Sequence, residues 1–87
     1  MEFIEMKKLP KLGTRVRVLW RDIVGFTNVP MREAKVADVW TEGKLVKAET
    51  EFLVIATSQY IDDEPADEKV GDYIAIPVGT VVRVSRL

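Results

Sequence analysis

Between Arg15 and Arg21 apolar and charged side chains alternate, with Val16, Val18 and Trp20 on one side and Arg15, Arg17 and Arg21 joined by Leu19 on the other. A two-residue period belongs to a strand with one buried face, so this run predicts the first strand. It opens onto VGFTNVPMRE, residues 24–33, where Gly25, Asn28 and Pro30 break the pattern and predict a long loop. The following KVADVWTEGKLVKAETEFLVIATSQY is the most strand-like part of the chain and reads as strands over about 35–42, 44–49 and 51–60. Glu42-Gly43 reads as a break, with Gly43 able to take positive φ, and Glu49-Thr50-Glu51 as a tight polar turn. Within the last of these strands, FLVIA has the length and composition of a central strand.

Residues 61–72, IDDEPADEKVGD, are polar and acidic and predict a surface loop. YIAI is then a strand that stops at Pro77, because proline cannot donate to a ladder. PVGT makes a tight turn and VVRVSRL a closing strand, while Met31–Asp38 offers at most one helical turn. The expected organisation is an N-terminal arm or short strand over residues 1–13 and one domain over residues 14–87. Short strands in so small a chain must curl to cover their apolar face and dispose of their edges. The expected fold is therefore all-β, a small SH3-like barrel of five to six short antiparallel strands with a long first loop. An OB-fold ranks second, weakened by the missing helix between its third and fourth strands.

Composition narrows the chemistry. The 87 residues are 47% apolar and 31% charged, which suits a single globular domain with a thin core and a well-solvated surface. There is no cysteine and no histidine, which removes thiolate nucleophiles, disulfides and the commonest general base and zinc ligand. No apolar run is long enough to span a bilayer, and MEFIEMKKLPKLG lacks the apolar core of a signal peptide, so a cytoplasmic chain without a membrane partner is expected. The net charge of −1 conceals an asymmetry: residues 1–35 carry +4, residues 36–79 carry −7, and Arg83 and Arg86 restore two positive charges. Either the halves pair with each other across the sheet, or they present separate patches to a partner; interleaved strands favour self-pairing.

Two surfaces stand out as candidate sites. Arg15, Arg17 and Arg21, joined by Arg83 and Arg86 if the first and last strands are neighbours, would form a basic stripe able to contact phosphates, with Trp40 or Tyr60 as a stacking platform. The competing expectation is that these arginines pair with Asp38 and Glu42 on an adjacent strand. Alternation from Val36 puts Asp38, Trp40 and Glu42 outside and Ala37, Val39 and Thr41 inside. An outward tryptophan marks an interface or covers an arginine. The tip residues Phe26, Asn28 and Met31 of the first loop are further candidates for partner contact. Trp20 is expected in the core, and Asp22 in an Asx-type bond that starts the turn.

The acidic residues of 61–72 lack the order of an EF-hand loop and are interrupted by Pro65. Ser58 and Ser85 have no evident base. The chain therefore predicts no catalytic residues, no metal site and no cofactor.

Trp20-x-Asp22, Glu42-Gly43-x-Leu45-Val46, Leu53-Val54-Ile55-Ala56 and Ile76-Pro77-x-Gly79-x-Val81 together resemble small uncharacterised proteins encoded in bacteriophages and prophages. The chain departs from their pattern in carrying Glu42 before the glycine and a lysine where an aromatic is common. The resemblance covers about residues 14–87 and implies a phage-related accessory protein with no assigned activity. The expected function is a non-enzymatic binding or assembly module whose partner is a protein, including another copy of itself. A nucleic-acid-binding barrel using Arg15, Arg17, Arg21 and Arg83 is the runner-up.

Overall fold

The computed structural model describes residues 8–87. Five strands make up the fold: β1 (Arg15–Asp22), β2 (Ala37–Ala48), β3 (Phe52–Gln59), β4 (Gly71–Pro77) and β5 (Val81–Arg86). All neighbours are antiparallel, in the order β4-β3-β2-β1-β5. The all-β antiparallel expectation is met. Helix among the described residues is confined to 3₁₀ turns, including Met31–Glu33, Ala66–Glu68 and Val78–Thr80.

The last connection forces the sheet to curl. β4 and β5 sit at opposite edges, which in a flat sheet would lie about 19 Å apart at ~4.8 Å per strand. Yet only Val78–Thr80 joins them, and four residue steps reach at most about 14 Å. The expected closed barrel is nonetheless not formed by hydrogen bonds: β4 and β5 are edge strands with no ladder between them. The sheet is curled and open.

β2 changes partners beside Gly43. β2 pairs with β1 from Ala37 to Lys44 and with β3 from Lys44 to Ala48, so one long strand serves both halves of the sheet. The predicted break at Glu42-Gly43 is therefore corrected: β2 runs through it unbroken, and Gly13, not Gly43, is the glycine with positive φ among the described residues. Glycine is required here for a different reason. A β-carbon on Gly43 would overlap the Ala56 carbonyl oxygen and sit 2.8 Å from Ile55 Cγ2. The missing side chain lets β3 cross close against β2. The polar turn at residues 49–51 forms as predicted, with the Glu49 N–H donating to the Phe52 carbonyl.

Alternation sorts the side chains. Val16 and Val18 of β1, Leu45 of β2, Leu53 and Ile55 of β3, Ile76 of β4 and Val81 of β5 form the buried core. Leu9, Trp20, Ile74, Val78 and Val84 pack around it. Trp20 points inward as expected, and its indole N–H donates to Thr41 Oγ1 at 2.9 Å. Burying an indole without an acceptor would be costly, so Thr41 is an inward residue with a defined task. The expectation of an arm or short strand over residues 1–13 falls partly outside the described residues. Within them, Leu9 packs on the core, and the Gly13 N–H, at φ 93°, donates to the Leu45 carbonyl at 2.7 Å. No helix among the described residues is long and apolar enough to cross a membrane.

Candidate functional site

The outer face of β2-β1-β5 gathers most of the side chains singled out in the sequence. Register places Arg15 opposite Lys44, Arg17 opposite Glu42, Leu19 opposite Trp40 and Arg21 opposite Asp38. On the other side of β1, Leu19 faces Arg83 and Arg17 faces Ser85. Trp40, Leu19 and Arg83 thus lie in one row across three strands. The Arg17 and Arg83 guanidiniums stand 5.3 and 5.5 Å from the Trp40 ring centroid. Both are within the range of cation–π attraction. Trp40 keeps 48% of its surface exposed, so it points outward as alternation predicted while being held in place by two cations.

The face is partly self-neutralised. Arg17 reaches Glu42 Oε1 with both Nε and Nη2, each at 2.6 Å, and Arg21 Nε donates to Asp38 Oδ1 at 3.3 Å. The expected pairing of β1 arginines with β2 acids is therefore present. It does not extend to Arg15, Lys44 or Arg83, which have no ion pair among the described residues. Arg86 leaves the stripe expected of it: its register partner is Val16, whose side chain points into the core, so Arg86 belongs to the opposite face. The stripe expected from sequence thus survives as an uncompensated edge, Arg15 with Lys44 at one end and Arg83 beside Trp40.

The first loop continues this face at the Arg21–Asp38 end, because it leaves β1 after Asp22 and enters β2 at Ala37. The Asp22 carboxylate accepts from the Ile23 N–H at 2.9 Å, an Asx-type start as expected. Residues 23–36 contain no buried position. Ile23 and Met31 are 89% and 90% exposed, and Val24, Phe26, Val29 and Val36 stand open beside them. Asn28 holds φ 60°, a left-handed conformation that asparagine tolerates better than most residues. Phe26, Asn28 and Met31 are all on the surface of this loop, which is a separate element from the strand that carries Trp40.

A second concavity was not legible in the sequence. An open groove of about 630 Å³ runs over the outer side of β2, β3 and β4, with Val46, Val54 and Tyr73 among its lining residues and Lys44, Lys47 and Lys69 beside them. Its near side is made by the β3–β4 connection. There the Tyr73 hydroxyl donates to the Lys69 carbonyl at 2.8 Å and Lys69 Nζ lies 4.0 Å from Asp62. Alternation marks Lys44 and Val46 as outward, but nothing in the sequence shows that residues 60–70 fold back beside them. Among the described residues, no group of three or more metal-ligating side chains is drawn together, the acidic loop included.

No protein-family model matches this chain, and neither does any curated protein or solved structure.

Proposed function

We propose that the chain is a non-enzymatic protein-binding or self-assembly module, docking through the Trp40 face together with the adjoining loop of residues 23–36. The observation that carries this reading is the loop itself: six large apolar side chains stand in solvent along one connection. Monomeric soluble proteins rarely leave contiguous apolar surface uncovered without a partner for it. Trp40, held between Arg17 and Arg83, adds the aromatic and arginine chemistry in which interface hot spots are enriched.

The strand order and the three-residue 3₁₀ link before the last strand support reading the curled sheet as an SH3-like barrel that closes through packing. A phage-related accessory role, taken from the resemblance of the turn motifs, belongs to the same proposal.

Sedimentation equilibrium of wild type, an Ile23→Asp/Met31→Asp double variant and Trp40→Ala tests it. The proposal expects a wild-type oligomer that the double variant dissociates and Trp40→Ala weakens. A wild type that stays monomeric at every concentration would remove self-assembly. A wild-type oligomer untouched by all three substitutions would remove this surface. The competing reading, a nucleic-acid-binding barrel, rests on the uncompensated Arg15, Lys44 and Arg83 beside an aromatic. It predicts oligonucleotide binding that weakens steeply with salt.

A further inference from the structure

The face that binds arginines to Trp40 has a complement elsewhere on the same chain. The connection between β3 and β4 exposes Ile61 completely, and Asp63, Glu64 and Glu68 beside it are exposed with no ion pair among the described residues. Asp62 alone of the acids in that loop is engaged, by Lys69. The loop is thus acidic with an apolar residue at its start. The β2-β1-β5 face is basic with Trp40 and Leu19 between its cations. Their charges are opposite, and each carries apolar surface that the other could cover.

Within one copy the loop reaches only the Lys44 end of that face, where Ala66 and Asp67 share a groove with Lys44, and no ion pair forms between them. The loop leaves from β3 and returns to β4, whereas Arg83 lies on β5, three strands from β3 in the sheet order. No ion pair joins Asp63, Glu64 or Glu68 to Arg15, Lys44 or Arg83.

We propose that copies of this chain assemble head-to-tail, the acidic loop of one copy, with Ile61, Asp63, Glu64 and Glu68, seated on the Arg15, Lys44, Arg83 and Trp40 face of the next. This rests on the self-assembly reading above and names its occupant. Because the two surfaces are different patches of one molecule, the contact is heterologous. Repetition of such a contact gives a closed ring or an open filament, not a two-fold dimer. The second copy is favoured over a nucleic acid because the chain carries both halves of the contact.

Charge reversal with complementation tests it, read by sedimentation velocity on the whole chain. One variant carries Asp63→Lys, Glu64→Lys and Glu68→Lys; the other carries Arg15→Glu, Lys44→Glu and Arg83→Glu. All six positions are exposed, and circular dichroism with urea unfolding confirms that each variant folds.

The expected result has three parts. Wild-type oligomer is lost as salt rises from about 0.1 to about 1 M, where the Debye length shrinks from about 10 to about 3 Å. Each variant alone is monomeric. An equimolar mixture of the two recovers the oligomer, because each reversed loop now meets a reversed face. Oligomers that persist in both single variants would overturn the head-to-tail contact while leaving self-assembly through the apolar loop standing. Two monomeric variants whose mixture stays monomeric would also overturn it. A wild type that is monomeric alone but binds a mixed-sequence single-stranded oligonucleotide, with loss of binding in the Arg15→Glu, Lys44→Glu, Arg83→Glu variant, would overturn both and assign the face to nucleic acid.

Discussion

Replacing Gly43 by alanine adds one methyl group where β2 changes partners, and its effect can be worked from the surroundings. The new β-carbon would overlap the Ala56 carbonyl oxygen and stand 2.8 Å from Ile55 Cγ2. The isoleucine methyl can swing aside. The carbonyl cannot, because Ala56 is the register partner of Lys44 in the β2–β3 ladder. Overpacking of this kind costs about 1–3 kcal/mol, while alanine recovers the ~0.5–1 kcal/mol that glycine forfeits inside a strand. The expected net is a loss of about 1–2 kcal/mol, a large share of the ~4–13 kcal/mol that a chain of this size has at about 0.05–0.15 kcal/mol per residue. Urea unfolding followed by tryptophan fluorescence reads it as a lower midpoint at unchanged slope. Gly79→Ala is the control, since nothing lies within 4 Å of a β-carbon there and its φ is not positive. That substitution should stabilise by about 0.4–1 kcal/mol. If Gly43→Ala behaved like Gly79→Ala, the close crossing of β3 over β2 would be refuted, and with it the need for glycine at that position.

Three further outcomes follow from single contacts. Thr41→Val removes the acceptor of the Trp20 indole and should cost about 1–3 kcal/mol in urea unfolding, with Thr41→Ser recovering most of it; equal stability of Thr41→Val and wild type would mean the indole has another partner. A double-mutant cycle on Arg17 and Glu42, both side chains nearly half exposed, should give a coupling of about 0.2–1 kcal/mol that shrinks with salt; a coupling of several kcal/mol would show the pair to be buried by something else. Leu45→Ala, at a fully buried position in the core, should cost about 2–5 kcal/mol, read as a lower urea midpoint at unchanged slope; a loss under about 1 kcal/mol would contradict its burial.

Strand periodicity made much of this fold legible. The two-residue alternation through β1 assigned Val16, Val18 and Trp20 to the core and the three arginines to the surface, because one buried face leaves a clear imprint on a half-exposed strand. The same rule put Trp40 outside between Asp38 and Glu42. It failed at Gly43, where glycine reads as a turn residue whether it supplies positive φ or merely lacks a side chain. Those two uses are identical in sequence, and only the neighbour that crosses over it tells them apart. Arg86 was misassigned for a different reason: it stands three residues from Arg83, so alternation along β5 puts the two on opposite faces, and the unbroken register from Leu19–Arg83 to Val16–Arg86 does the same. The groove beside Tyr73 was invisible because it depends on how a long connection folds back.

The charge asymmetry is the point at which sequence and fold together say more than either. Opposite charges on sequence-adjacent strands pointed to internal pairing, and β1 does pair with β2 through Arg17–Glu42 and Arg21–Asp38. But a ladder brings together only what register allows. The sheet order spends the two acids of β2 on β1, while the acids of residues 62–68 sit on the β3–β4 connection and form no ion pair with Arg15 or Arg83. Had neutralisation within the chain been the governing constraint, the cheap solution was to place those acids on β2 or β5, where they would face the arginines directly. Their location on an exposed connection, next to a fully exposed Ile61, adds little to the folded monomer: exposed pairs contribute at most about 1 kcal/mol, and of these acids only Asp62 makes one among the described residues, with Lys69. Surface charge segregated in this way acts on encounters between molecules, and that is the physical ground of the proposed head-to-tail contact between the acidic loop and the arginine–tryptophan face.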